Sequence, residues 1–155
     1  MPKIEREVEI SATPETVWSI IADPTYFTKL VPDVITNEAD PPGLATVGQK
    51  SHSIAKVARR KVETFGEVTE VVPNRKLVQR NTPGGLFKTF LATITLEPTN
   101  KGTEATMTLD YELSMGYLGR ILRKLVVDRF VRRNANVILK NLKEIAELKG
   151  MPKTT

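Results

Sequence analysis

From Leu118 to Leu148 the chain carries no proline, and its apolar residues recur every three or four positions: Leu122, Val126, Phe130, Val137/Ile138, Leu142, Ile145 and Leu148. Gly150 and Pro152 then supply stop signals. At 1.5 Å per residue such a helix is roughly 45 Å long, enough to cross a whole sheet. A stripe of that length needs an apolar partner of matching extent. The rest of the chain has to provide it.

The preceding segment has a period of two, not 3.6. Residues 3–10 alternate, with Ile4, Val8 and Ile10 on one face and Glu5, Glu7 and Glu9 on the other, the pattern of a half-buried strand. Arg6 interrupts the apolar face and is expected near an end or an edge. Thr13 and Pro14 then read as the N-cap and first position of a short helix, with Val17, Trp18, Ile20 and Ile21 as its apolar side and Asp23-Pro24 as its stop. A second short helix spans about 25–30, ahead of Pro32. Six further strands are expected at 34–39, 46–57, 60–72, 76–82, 86–97 and 104–115. They are separated by Pro41-Pro42-Gly43, a type I turn at Pro73-Asn74-Arg75-Lys76, Pro83-Gly84-Gly85 and Thr99-Asn100-Lys101-Gly102. The last strand is the clearest, with Ala105, Met107, Leu109, Tyr111, Leu113 and Met115 on one side.

These elements define an α+β chain: a seven-stranded antiparallel sheet, two short helices after the first strand, and a long C-terminal helix covering the apolar face. With 155 residues, a single domain over 1–155 is expected, large enough to bury roughly 70% of its unfolded surface. A sheet of seven strands twists and curls. It therefore meets a straight helix along a line, and the space beside the helix, capped by the short helices, is an expected cavity.

Composition removes several function classes. There is no cysteine, so disulfides, iron–sulfur clusters and thiolate zinc sites are excluded. A reducing, cytoplasmic location fits that absence. The opening MPKIEREVEI lacks the apolar core of a signal peptide, and no apolar run approaches the ~20 residues of a membrane span. The net charge of +5 is unevenly placed: residues 118–150 hold nine Lys/Arg against three acids. Arg120, Arg123, Lys124, Arg129, Arg132 and Arg133 lie early on the long helix, either as a solvated face or as a contact for an anionic membrane or an acidic protein. No aromatic–basic interleaving or known motif points to nucleic acid.

Several segments together resemble the SRPBCC superfamily, which includes START lipid-binding domains, Bet v 1-like proteins, polyketide cyclase/dehydrase-like proteins and a group associated with carbon-monoxide dehydrogenase. Val8-Glu9-Ile10 with Ala12-Thr13-Pro14-Glu15-Thr16-Val17-Trp18 is similar to that family's strand–helix opening. Ala22-Asp23-Pro24 with Leu30-Val31-Pro32-Asp33-Val34, the stretch Gly66–Leu77, and Asn141-Leu142-Lys143 resemble its later segments. The resemblance covers nearly the whole chain and is closest to the carbon-monoxide-dehydrogenase and cyclase/dehydrase groups. It implies the helix-grip fold and a cavity between the sheet and the last helix. It does not specify a ligand, because members of such superfolds differ in function.

Within this frame the leading expectation is a protein that carries or sequesters a lipid-like or polycyclic molecule, needing no cofactor or metal. The expected wall comprises Phe27, Leu30, Phe90, Met107, Tyr111, Met115, Phe130, Asn134 and Ile138. Met107 and Met115 are adaptable wall residues, and Tyr111 offers a hydroxyl as an orienting group. Asn134 falls on the apolar stripe and needs a partner, whether ligand, water or solvent at a leaning helix midpoint. The alternatives are an enzyme of the cyclase/dehydrase kind, in which Tyr111, His52 or an inward carboxylate moves protons, and a ligand-free interaction or maturation factor with a filled core. His52 is the only histidine, which leaves no Ser/His/Asp arrangement. It reads either as an ordinary strand histidine or as a polar group of the cavity. Pro83-Gly84-Gly85 precedes a strand, so it is read as a hairpin turn and not as a phosphate loop.

Overall fold

The computed structural model describes residues 3–57, 59–81, 87–113 and 117–150, with the side chains of 57, 87, 113 and 117–126 outside that description. The elements run β1 (Lys3–Ile10), α1 (Pro14–Ile21), a 3₁₀ turn (Pro24–Tyr26), α2 (Phe27–Leu30), β2 (Val34–Asp40), β3 (Lys50–Val57), β4 (Arg60–Val72), β5 (Lys76–Asn81), β6 (Phe87–Thr99), β7 (Gly102–Leu113) and α3 (Tyr117–Lys149). All seven strands form one antiparallel sheet in the order β1-β7-β6-β5-β4-β3-β2. The first and last strands are neighbours, and the others follow as a meander. This is the expected α+β helix-grip arrangement.

Local chemistry explains the joints. The Thr13 side chain accepts a hydrogen bond from Thr16 N at 3.2 Å, and Pro14 occupies the first turn of α1. Asp23 caps the 3₁₀ turn by accepting from Thr25 N. Gly102 opens β7 at φ +144, where a Cβ would lie 2.3 Å from the Ile10 carbonyl oxygen, so only glycine lets β7 begin against the end of β1. The turn between β4 and β5 differs from the type I expectation. Arg75 N donates to Val72 O at 2.9 Å and Asn74 sits at φ +64, so the turn is Val72–Arg75 with a left-handed third residue, the signature of type II. Strand β3 starts at Lys50 and not at 46, because Thr46–Gln49 close a turn in which Gly48 has φ +91. Pro83-Gly84-Gly85 lies outside the described residues.

Helix α3, 33 residues long, crosses the concave face and packs on β1, β7, α1 and α2. Its buried line is Val127, Val131, Ala135, Ile138, Leu139, Leu142 and Ala146. This keeps Ile138 and Leu142 of the expected stripe and corrects it at Phe130 and Leu148; the side chains of Leu122 and Val126 lie outside the described residues. Phe130 is 43% exposed and Leu148 is 73% exposed. The alanines explain the shift: Ala135 and Ala146 are fully buried, and their size lets the helix approach the sheet closely, which turns the bulkier Phe130 outward.

Candidate functional site

The register sorts inward from outward side chains. On β3 the buried Ser53 is hydrogen-bonded to Thr64 of β4, and Asn37, opposite Ser53 on β2, donates to Pro24 O in the helical layer at 3.1 Å. That face is concave and faces the helices. Cross-strand rows on it run Val68–Gln79–Ala92–Leu109–Ile4 and Val71–Leu77–Ile94–Met107–Arg6, with Phe90 opposite Tyr111 and Leu96 opposite Ala105. Burial changes along these rows. Ile4, Met107, Leu109 and Tyr111 are buried on the side of α3, Gln79, Ala92, Phe90 and Ile94 are only half-buried, and Val68 and Leu77 beyond them are buried again. Farther from the helix, Thr64 and Gly66 are half-buried and Val62 is 41% exposed. The face thus grades from an apolar wall at β6 and β7 to a neutral polar wall of Gln79, Asn81, Thr64 and Ser51.

Tyr111 anchors the boundary between the covered and uncovered parts. It is fully buried, stacks on Phe90 with ring centroids 6.0 Å apart, and donates its hydroxyl proton to Asp128 of α3. Burial pushes its ionisation well above the ordinary tyrosine value. The hydrogen bond to Asp128 and that carboxylate's charge push the same way, while the nearby Arg132 cation opposes them. The phenol is therefore a neutral donor that ties β7 to α3.

The expected wall residues separate into groups. Phe90, Met107 and Tyr111 share the concave face. Leu30 and Ile138 are buried in the core, and Phe27 of α2 and Asn134 of α3 are half-buried. Phe130 is turned toward solvent, and Met115 lies outside the described residues. Trp18 is buried in the core beside Val17 and Ile20. His52 and Tyr111 are not brought together. His52 alternates with the inward Ser53, so it points to the convex face, where it stacks on Phe65 at 4.7 Å and lies 3.5 Å from Glu63. A shallow pocket of about 210 Å³ there is lined by Glu38, Ala39, Asp40, Lys50, Ser51, His52 and Phe65. Among the described residues no group of three His, Cys, Asp or Glu is placed to hold a metal ion.

Sequence reasoning missed Asp128 as the partner of Tyr111, and it missed Asn141, whose amide donates to Leu30 O at 3.0 Å and ties α2 to α3. The i, i+3 and i+4 pattern of α3 held a signal for Asp128, a lone acid beside the buried Val127 and one turn before Val131.

Comparison with known proteins follows the same line. The chain superposes on the crystal structure of TTHA0849 from Thermus thermophilus with a TM-score of 0.79 and 26% identity, covering 97% of this chain and 100% of that one. It superposes on the Zhui aromatase/cyclase from Streptomyces sp. R1128 with a TM-score of 0.82 and 15% identity, covering 96% and 94%. The di-domain ARO/CYC StfQ of the steffimycin biosynthetic pathway gives a TM-score of 0.79 at 13% identity, covering 95% of this chain and 51% of that one. At 15% and 13% identity the last two likenesses establish fold alone. A search of curated protein sequences finds no match. No helix among the described residues is long and apolar enough to cross a membrane. The sequence model for "Polyketide cyclase / dehydrase and lipid transport" matches residues 1–147, and the chain belongs to that family.

Proposed function

We propose that the protein binds a hydrophobic small molecule, lipid-like or polycyclic, between the concave face of the sheet and α3, as a carrier or sequestering protein. The carrying observation is the band of half-buried side chains in the middle of the inward face. Thr64, Gly66, Gln79, Asn81, Phe90, Ala92 and Ile94 on the inward face of β4, β5 and β6 are only half-buried, although Val68, Leu77 and Leu96 of the same strands are buried. A molecule lying against Phe90, Ala92, Ile94 and Met107 buries apolar surface worth roughly 25 cal/mol per Å². Gln79, Asn81 and Thr64 on the opposite wall supply a few polar anchors, the usual composition of a small-molecule site. Further partners in this reading are an anionic membrane or an acidic protein, met through the basic residues of α3. The compartment we assign is the cytoplasm.

Native mass spectrometry and organic extraction of purified protein test this reading, followed by titration of the delipidated chain with environment-sensitive apolar probes. The expected result is a co-purifying apolar molecule, or saturable one-to-one probe uptake that an added ligand reverses. Protein that is empty as purified and takes up no probe overturns it.

A second reading, an aromatase/cyclase-like enzyme, is favoured by the Tyr111–Asp128 pair. A phenol that donates to a carboxylate beside the concave face positions that carboxylate, Asp128, as the group that can take a proton from a substrate. Turnover of a poly-β-ketone analogue that is lost in Tyr111→Phe, with the fold retained, supports it. Unaltered analogue after prolonged incubation removes it.

A further inference from the structure

The densest cationic run of the chain lies at the tip of the β3–β4 hairpin and not on α3. Lys56, Arg59, Arg60 and Lys61 fall within six residues that contain no acid. All four are exposed, and none makes an ion pair among the described residues. Lys56 and Lys61 face each other directly across the ladder, and like charges in that position destabilise a sheet. Asp33, whose carbonyl accepts from Lys56 N at 2.8 Å, does not relieve them with its carboxylate. The fold keeps a repulsion for which it has no internal use.

The topology places this tip at the end of the sheet where β6 begins and β7 ends. Among the described residues β4 meets β5 from Gly66 onward, opposite Asn81, so 60–65 extend roughly 20 Å beyond the last described residue of β5. Strands β4 and β6 run parallel, two places apart, and both begin at this end. Strand β7 ends there at Leu113, and α3 begins four residues later. The tip also carries apolar surface. Val62, next to Lys61, is 41% exposed, and Ile35, in the β2 bulge beside Ile54 and Ala55, is 50% exposed. On α3 the 43%-exposed Phe130 lies among the exposed Arg129, Arg132 and Arg133.

We infer that this end of the molecule docks on an anionic lipid bilayer, with Lys56, Arg59, Arg60 and Lys61 against the headgroups and Val62 and Ile35 entering the interface. Cations interleaved with exposed aliphatic side chains match the charge and the shallow apolar layer of such a surface. A nucleic acid or an acidic protein matches the charge alone. The docking rests on the ligand-binding reading for its purpose, since it brings one end of the concave face to a store of apolar molecules, but it does not rest on that reading for its geometry.

Vesicle flotation tests it, using phosphatidylcholine vesicles with and without phosphatidylglycerol. The chain is expected to float with the anionic vesicles only and to be released by salt. Each cation near an anionic surface contributes about 1 kcal/mol, so the double variant Arg60→Gln/Lys61→Gln lowers the partition coefficient roughly 30-fold. Arg75→Gln/Lys101→Gln, at the opposite end of the sheet, leaves it unchanged. In Val62→Trp, tryptophan emission shifts to the blue on anionic vesicles and is quenched by brominated lipid. Equal partition to neutral vesicles, equal losses in the two double variants, or a Val62→Trp spectrum indifferent to vesicles overturns the inference. So does tighter retention on duplex DNA or polyglutamate than on vesicles. Free strand edges are also guarded by cations. If Arg60→Gln/Lys61→Gln self-associates without altered flotation, the charges are edge guards and the inference is wrong. Probe uptake measured without vesicles is expected to be the same in wild type and in Arg60→Gln/Lys61→Gln, so loss of uptake and loss of docking are read separately.

Discussion

Along β7 every inward side chain from Thr103 to Tyr111 is buried, whereas along β4 the inward positions run from the buried Val68, through the half-buried Gly66 and Thr64, to the exposed Val62. Both strands are long, both alternate and both belong to one sheet. What separates them is α3, which among the described residues packs on β7 and β1 and has no comparable packing on β4. One part of the concave face is sealed beneath the chain's own helix, and another part, from Gln79 and Ala92 to Thr64 and Val62, is half-buried or exposed. Stability is therefore concentrated in the first part, and tolerance to change in the second.

Matched substitutions in the two parts test that division. The largest effect is expected for Leu142→Ala, which opens a cavity at a fully buried position. Chemical denaturation should show a loss of about 3 kcal/mol, while Val62→Ala should stay within about 0.5 kcal/mol. Comparable losses at both sites would erase the distinction. Adding volume sharpens it. Ala105→Leu, at a fully buried position, is expected to cost about 1–3 kcal/mol through overpacking. Ala92→Leu, at a half-buried position of the same face, should leave the melting temperature near wild type and reduce probe uptake.

The Tyr111 hydroxyl is the next lever. Tyr111→Phe deletes the hydrogen bond to Asp128, at an expected cost of about 1–2 kcal/mol. Its folded-state pKa is raised by burial and by Asp128, so its contribution is fully present below the unfolded tyrosine value of about 10 and is lost as pH rises above it. In an absorbance titration, one of the three tyrosines should ionise only as the chain unfolds, and that component should vanish in Tyr111→Phe. The smallest effect is assigned to Glu147. The hydrogen bond from Lys143 and the one from Ser11 N hold its carboxyl below the usual range. Its contribution is present above the unfolded value and fades as pH falls through the lowered one. Glu147→Gln should flatten the acid side of the stability–pH curve slightly, because exposed pairs contribute little.

The order of elements was legible in the residues alone. Alternation marked β1 and β7, proline and capping residues bounded α1, and the proline-free apolar repeat marked α3. The phase of α3 was not legible. Size and apolarity place Phe130 and Leu148 inward, yet the buried line runs through Ala135 and Ala146. Alanine gives no hydrophobic signal, and its value shows only when a second surface comes close. The concave site was half legible for the same reason: Phe90, Met107 and Tyr111 declared a shared face by alternation, but the part-exposure of Gln79 and Thr64 depends on where the helix comes to rest. The cations of 56–61 are a run in the residues, but their meeting across a hairpin at one end of the sheet follows only from the strand register.

The sequence by itself determined the strands, the helices and the side chains that share a face, because those follow from local periodicity and turn chemistry. Only the tertiary structure decided which part of that shared face is sealed and which stays open. That depends on the line along which a straight helix touches a curved sheet, a property of two surfaces meeting and not of either segment alone.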